Sequence, residues 1–256
     1  APVAAQTTTQ QGFTLNRYEP TAAGEWSFWV DHPWYSSTRY FAGGITLNYG
    51  HNPLQYGPVI GDKVEPSQAV IAHQLLGHAD LAFSFLDRVL ITASLPVTFL
   101  ERGTEAAGVK PTTGVVLGDP RVGLMLRVAG QPYRSGASLS LGVQGWVPLR
   151  QFTQSAVVSP TSSDSAFRIM PKLVLGGIAS SIFWSFTGGF LYRSPARLGD
   201  ADPTGSSVGS ELQLGFAIGY ASVDKRFAIV PEAILSTAVL GNDEVVERIS
   251  GGGFGM

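Results

Sequence analysis

The sequence contains no cysteine, which excludes disulfide bonds, thiol catalysis, iron–sulfur clusters and a lipoprotein-type anchor. Charged residues are also scarce, at 14% of the chain against roughly 25% in ordinary soluble domains. The net charge of −2 gives no electrostatic reason to expect binding to nucleic acid or to an anionic membrane surface. The histidines His32, His51, His73 and His78 lack the spacing of a zinc motif, and no phosphate-binding glycine motif occurs. We therefore expect no cofactor, no metal site and no nucleic-acid partner.

Residues 173–192 form a run of 20 residues without a charge, yet the pattern within this run does not predict a membrane helix. Apolar or small side chains recur at every second position, and the Gly and Ser content is unfavourable for a helix. A period of two is typical of a strand with two different faces. We predict a β-hairpin that turns at Ser180 and Ser181, with two strands that are each long enough to cross a bilayer.

The same alternation recurs from Arg39 almost to the C-terminus and predicts nine strands. They are expected at residues 39–50, 74–85, 89–99, 121–128, 138–147, 167–179, 184–193, 211–220 and 227–239. Short connections alternate with long ones that are rich in Gly, Pro, Ser and Thr, as is typical of solvated loops. Short turns at one end and long loops at the other indicate an outer-membrane barrel with periplasmic turns and extracellular loops.

The two faces of the predicted strands differ in bulk and polarity. One face carries large apolar side chains such as Trp184, Phe190 and Phe216, whereas the other is small and polar. A soluble lipocalin-like barrel or a β-sandwich shares the alternation, but its more apolar face must point inward. The small polar face suits a crowded or wet lumen, so we favour a barrel whose bulky face points toward lipid.

These observations predict an all-β fold, an antiparallel up-and-down transmembrane β-barrel of about 10–12 strands. Nine strands would leave an open edge, which hydrocarbon does not tolerate. Residues 244–256 are a poor candidate for a closing strand, because charges and then a GGGFG run interrupt the pattern. We therefore expect residues 39–256 to form the barrel, with a wall that is incomplete at the C-terminal side. A partner chain that completes the wall is the alternative.

Residues 1–38 are too polar for a lipid-facing strand. If the short turns are periplasmic, the strand that begins at Arg39 runs outward, so this segment is expected to begin on the periplasmic side. We interpret it as a periplasmic lead-in or a partial plug of the lumen. The small residue Ala1, with no preceding Met, has the character of a mature N-terminus left after removal of a signal peptide.

Charged side chains are also predicted to face the lumen. They are Asp80, Arg127, Arg150, Arg168, Lys172, Arg193, Glu211 and Glu232. Ionic groups inside a small barrel usually pair with one another and plug it. The alternative is a selectivity lining, in which Arg150, Arg168 and Arg193 form a basic vestibule that attracts anions. Glu211 lies at the same end of the strands and favours a salt-bridge cluster.

Aromatic residues cluster near the ends of the predicted strands. They are Phe85, Trp184, Tyr220 and Phe227 by the short turns, and Phe99, Phe167, Phe190 and Tyr192 by the long loops. Two such belts are expected at the two interfaces of a membrane barrel.

No catalytic residue is predicted. His78 and Asp80 share the inward face, but serines such as Ser94 occur on every strand, so a hydrogen-bonded polar pair is a simpler interpretation than a barrel hydrolase. The Gly-Asp-Pro-Arg sequence at residues 118–121 predicts a turn that directs Asp119 or Arg121 toward the rim. We expect that the protein is not an enzyme.

Three segments resemble the N-terminal barrels of OmpA-type outer-membrane proteins from myxobacteria-like organisms. These are residues 13–20 (FTLNRYEP), 91–99 (ITASLPVTF) and 117–124 (LGDPRVGL). They are also similar to TraB-like cell-surface proteins that act in outer-membrane exchange. The resemblance implies that a peptidoglycan-binding domain follows the barrel in the periplasm, and no such domain is present in this sequence.

Two functions are compatible with a protein of the outer membrane of Gram-negative bacteria. The first is a structural anchor with the lipid bilayer around it, a protein partner at its extracellular loops, and peptidoglycan bound through a further domain. The second is a porin-like channel for passive diffusion of small solutes. Bulky and charged lumen residues favour the anchor, whereas the many small inward residues favour the channel.

Overall fold

Nine long strands form one antiparallel sheet in the computed structural model of the chain. Their bounds are Arg39–Tyr56 (β1), Gln68–Phe85 (β2), Val89–Arg102 (β3), Arg121–Ala129 (β4), Ser138–Trp146 (β5), Arg168–Ala179 (β6), Ile182–Arg193 (β7), Ser210–Ala221 (β8) and Glu232–Leu240 (β9). The all-β antiparallel fold predicted from the alternation is confirmed. The structure describes residues 12, 14–33, 39–57, 59–60, 63–64, 68–106, 109–131, 136–153, 157–198, 206–222 and 227–240. Residues 244–256, where we predicted an interrupted pattern, lie outside that set.

The strands pair in chain order from β1 to β9, and the sheet curls strongly into a half-barrel. Short connections join β2 to β3, β4 to β5, β6 to β7 and β8 to β9 at one end of the sheet, here called the short-turn end. The other four connections are long and lie at the opposite, long-loop end. Within the described residues, β1 and β9 each pair with one long strand only, so they are the two edges of the wall.

Several short strands and one short helix lie in the connections between the long strands. Short strands at Val59–Ile60 and Lys63–Val64 pair with each other, as do those at Ala196–Leu198 and Ser206–Val208. Val116–Leu117 pairs with β3 and Ala228–Ile229 pairs with β8. One four-residue helix, α1 (Leu149–Phe152), begins the connection from β5 to β6. The two-residue turn between β6 and β7 places Ser180 at φ 59°, as primed turns do to match the twist of the strands.

The sheet is polar on its concave side and apolar on its convex side. Strand β4 shows the pattern: its outward side chains are 42–54% exposed, and its inward ones are buried. The outward residues are Val122, Leu124, Leu126 and Val128. The inward residues are Arg121, Gly123, Met125 and Arg127. The other long strands repeat this arrangement, because side chains alternate across a sheet while two different environments face its two sides. We call the space on the concave side the lumen.

Residues 14–33, here called the inner segment, lie along the lumen. Near its start, the Leu15 N–H donates to the Thr161 carbonyl oxygen at the long-loop end. Farther along, Ala23 contacts β1, and Pro33 packs beside Gly176 near the short-turn end. The described part of the N-terminal region therefore runs from the long-loop end to the short-turn end. Our expectation that the segment begins on the periplasmic, short-turn side concerns residues 1–11, which lie outside the described residues, and it stays a prediction.

A disulfide between the inner segment and the wall is expected to form without straining either. A Cβ built on Gly44 in β1 lies 3.6 Å from the Cβ of Ala23, within the range of about 3.5–4.5 Å that a disulfide requires. The chain has no cysteine of its own, so the double variant Ala23→Cys and Gly44→Cys offers one pairing only. Non-reducing electrophoresis of the folded variant should show quantitative cross-linking. Free thiols under oxidising conditions would contradict the position of the inner segment.

Candidate functional site

Three ion pairs attach the inner segment to three different strands. Arg17 Nη1 is 2.9 Å from Glu211 Oε2 in β8, and Glu19 Oε2 is 3.2 Å from Arg121 Nη1 in β4. Asp31 Oδ2 is 2.5 Å from Lys172 Nζ in β6. The Arg121 guanidinium also donates to the Pro20 carbonyl oxygen at 2.6 Å. Strands β4, β6 and β8 each direct a charged side chain into the lumen. The inner segment supplies the opposite charge to each of them.

Glu232, at the start of β9, holds the inner segment in a different way. Its carboxylate accepts hydrogen bonds from the backbone N–H groups of Phe28, Trp29 and Val30 at 2.7, 2.9 and 2.7 Å. Consecutive N–H groups that converge on one anion form the concave arrangement that proteins use to hold anions. Here the anion belongs to the wall itself, so the contact fixes the inner segment against the edge strand.

A buried acid–base network occupies the long-loop end of the lumen. Asp164 lies between two arginines: its Oδ2 is 2.5 Å from Arg168 Nε, and its Oδ1 is 3.4 Å from Arg193 Nη1. Arg168 also reaches Asp119 at 3.3 Å, and Arg193 reaches Glu211 at 3.5 Å. All five side chains are buried, with relative exposures of 1–5%. The network therefore ties β6, β7 and β8 to the connections that precede β4 and β6.

The connection between β5 and β6 enters the lumen mouth, although its composition predicts a solvated loop. Residues 161–164 are buried, and the Ser163 hydroxyl and the Asp164 N–H both donate to Asp119. Burial raises the pKa of the Asp119 carboxyl from its ordinary value, and the Arg168 guanidinium lowers it in turn. The turn at residues 118–121 leads into the long-loop end of β4, where Asp119 and Arg121 are both buried. Each lies beside an opposite charge, Asp119 beside Arg168 and Arg121 beside Glu19.

Glu101 forms a second polar centre at the same end. Its carboxylate accepts hydrogen bonds from the Thr161 hydroxyl at 3.0 Å, from the Gln74 side-chain amide at 2.8 Å and from the Thr112 N–H at 2.9 Å. We did not predict this residue as part of the site. Alternation along β3 would place it on the outward face with Phe99, but a register shift opposite Leu75 and Leu76 turns Glu101 inward, so no sequence signal identified it.

The remaining predicted lumen charges lie in three places. Asp80 in β2 and Arg127 in β4 are buried toward the short-turn end. Arg150 lies in α1 and is half-buried, and its guanidinium approaches Gly12 so closely that a Cβ there would be 2.4 Å from Nη1. Burial lowers the pKa of the Arg150 guanidinium. Of the three arginines in the hypothetical basic vestibule, Arg168 and Arg193 are thus engaged by carboxylates, while Arg150 stands apart.

His78 in β2 lies in the middle of the lumen, beside one residue of β3 and one residue of the inner segment. Its Nδ1 is 3.5 Å from the Ser94 hydroxyl, at the limit of a hydrogen bond, and its ring meets that of Tyr18 edge-on at 5.8 Å. The Asp80 Oδ1 and His78 Nε2 atoms are buried without a hydrogen-bond partner among the described residues. Among the described residues no carboxylate is hydrogen-bonded to the imidazole, and the expectation that no catalytic group lies here stays a prediction.

The predicted aromatic residues face outward near the two ends of the sheet. Phe99, Phe167 and Tyr192 at the long-loop end are 45–54% exposed, and Tyr220 and Phe227 at the short-turn end are 50% and 59% exposed. The other three are partly exposed: Phe85, Trp184 and Phe190. The apolar side chains of β4 and its neighbours lie between these two rows.

Little free space remains where the inner segment meets the strands. A cavity lined by Ala22, Asp31, Leu90, Arg121 and Lys172 among others has a volume of about 10 Å³, which is room for roughly one water molecule. Among the described residues, no three His, Asp or Glu side chains are arranged to hold a metal ion. The inner segment and the strands are therefore closely packed around this cavity.

Comparison with known protein families and with curated proteins found no match for this chain. Among the elements that the structure describes, no helix is long and apolar enough to cross a membrane. The resemblance to OmpA-type barrels therefore stays a prediction.

Proposed function

We propose that the chain is the transmembrane β-barrel part of a bacterial outer-membrane protein, with a role in anchoring and cell-surface interaction rather than in solute diffusion. The observation that carries this proposal is the polarity of the sheet. Its convex side exposes rows of Val, Leu, Ile and Phe, whereas its concave side buries arginines, carboxylates and serines. A water-soluble β-barrel has the opposite arrangement, because its apolar faces must be removed from water.

A lipid environment accounts for this polarity without a further partner. Outward side chains such as Ile45 and Leu124 are 81% and 48% exposed, and contact with acyl chains would remove them from water. The aromatic residues at both ends match the two interfaces of a bilayer. In hydrocarbon, the unpaired edges of β1 and β9 would also need strand partners, which is consistent with our expectation of about 10–12 strands in the complete wall.

The filled lumen supports the anchor over the channel. The inner segment and residues 159–164 lie in the lumen, and ion pairs hold both to the wall. A passive channel needs a continuous wet path, which these residues obstruct. The long-loop end would then be the surface available to a protein partner, and binding to peptidoglycan would depend on a further domain, as the OmpA-type resemblance implies.

Lipid insertion is tested by placing a charge on the outward face. An arginine at the bilayer midplane destabilises an inserted barrel by about 2–4 kcal/mol. We expect Leu124→Arg, in the middle of β4, to reduce flotation of the refolded chain with phosphatidylcholine vesicles strongly. Leu86→Arg is the matched control, because Leu86 is 76% exposed in the turn between β2 and β3. If both variants float like the unmodified chain, or if none of the three proteins floats, the outward face is not buried in lipid.

A further inference from the structure

Three side chains with basic character form one row across β1, β2 and β3. His51 pairs directly with His73, and His73 pairs with Arg102. His51 and Arg102 are exposed and His73 is partly exposed, so the row lies on the convex side of the sheet. The net charge of the chain, counted with neutral histidines, is −2, so this row is a local concentration of basic side chains that the overall charge does not reveal.

The row adjoins the apolar surface on the long-loop side. The next outward row toward the middle of the sheet is Tyr49, Leu75 and Leu100, which pair across the same three strands. Tyr49 is 58% exposed, and Leu47, which lies two residues closer to the middle of the sheet in β1, is 65% exposed. In the proposed membrane orientation, His51, His73 and Arg102 would lie at the level of the lipid headgroups.

Local contacts orient the donors of this row. The Tyr49 Oη and His73 Nδ1 atoms are 2.5 Å apart and share a hydrogen bond, and the rings of His51 and His73 lie 5.4 Å apart. Asn52 follows His51 with φ 51°, a left-handed conformation that Asn tolerates, and its Nδ2 is 3.3 Å from His51 Nε2. Imidazole, guanidinium, phenol and amide groups can all donate hydrogen bonds, so together they suit an anion with several acceptor oxygens.

We propose that the row His51, His73 and Arg102 binds the phosphate of a lipid headgroup at the long-loop side of the membrane. The inference rests on the proposed function, since only an inserted barrel brings this row to headgroup level. A guanidinium can hold two phosphate oxygens at once, and the neighbouring imidazoles add donors from the same side. The two histidines alone would give a metal ion two ligands, and no third His, Asp or Glu is near enough among the described residues, so a phosphate fits better than a metal.

The test compares lipids retained by the full chain after reconstitution into nanodiscs. The discs contain equal amounts of phosphatidate and phosphatidylcholine, and native mass spectrometry counts the lipids that stay bound. We expect the ratio of bound phosphatidate to phosphatidylcholine to fall about fivefold in Arg102→Gln, the effect of one cationic side chain near a headgroup. The double variant His51→Gln and His73→Gln should lower the ratio too. Arg88→Gln removes an exposed arginine at the short-turn end and should leave it unchanged.

The results that would contradict the proposal fall into three kinds, which concern the binding site, the identity of the ligand and membrane insertion. No preference for phosphatidate in the unmodified chain, or an equal loss in Arg88→Gln, would overturn the row as a binding site. Displacement of phosphatidate by inorganic phosphate that itself stays bound would assign the row to a free anion instead of a lipid. Vesicle flotation is measured first on every variant, so failure of insertion is recorded separately and would overturn the proposed function together with this inference.

Discussion

Replacement of Asp164 by asparagine should lower the free energy of unfolding by about 3–5 kcal/mol, the loss seen when one partner of a buried ion pair is removed. Asp164 is 1% exposed and is the carboxylate shared by Arg168 and Arg193. Asparagine keeps the shape but not the charge, so two buried guanidinium groups would lose their common counter-charge. The measurement is a urea titration of the reconstituted chain, followed by tryptophan fluorescence.

Asp87→Asn provides the matched control for this prediction. Asp87 lies in the exposed turn between β2 and β3, where the same chemical change removes the same charge from a solvated position. We expect a change within about 0.5 kcal/mol there. If Asp164→Asn and Asp87→Asn unfold at the same urea concentration, the acid–base network does not stabilise the long-loop end.

The long strands could be predicted from the sequence because period-two alternation is a local property. Residues such as Val122, Leu124 and Leu126 alternate with Arg121 and Arg127, and any sheet must turn these two sets to opposite sides. The sequence also predicted that the bulky apolar face points outward, since bulky side chains cannot all fit inside a narrow barrel. Strand order then required only that neighbours in sequence be neighbours in space, as short connections favour.

The partners of the lumen charges could not be predicted in the same way. Asp164 belongs to a stretch of Ser, Thr and Pro residues that has the composition of a solvated loop, and nothing local indicates that it turns inward. It does so because Arg168 and Arg193 lie at the long-loop ends of neighbouring strands and require a counter-charge there. Likewise, Asp31 is 141 residues from Lys172, a separation over which sequence spacing carries no geometric information.

The inner segment supplies both signs of charge to the wall. Arg17 faces Glu211, while Glu19 and Asp31 face Arg121 and Lys172. Withdrawal of the segment would therefore leave buried charges on β4, β6 and β8 without these partners. The lumen would then become hydrated, because unpaired charges in a dry interior are unfavourable. Loss of the ion pairs between the inner segment and the wall is therefore the change that we expect to open the lumen.

Weakening these contacts should convert a silent barrel into a conducting one. We expect the unmodified chain to give no steady current in a planar bilayer, whereas the triple variant Glu19→Gln, Asp31→Asn and Glu232→Gln shows openings. Each lost contact to a charged group contributes about 1.5–3 kcal/mol, so each should raise the ratio of open to closed states by about tenfold or more. The openings should prefer anions, because Arg121 and Lys172 lose their counter-charges while they remain in the wall.

The engineered disulfide provides the control for the current. When Ala23→Cys and Gly44→Cys are added to the triple variant, oxidation should suppress the openings and reduction should restore them, since only the tether of the inner segment changes. Current that persists in the oxidised form would mean that the path does not pass the inner segment. If the reduced variant stays silent although its cysteines no longer cross-link, residues 159–164 close the lumen by themselves. A steady current in the unmodified chain would instead favour the diffusion channel and contradict the anchor.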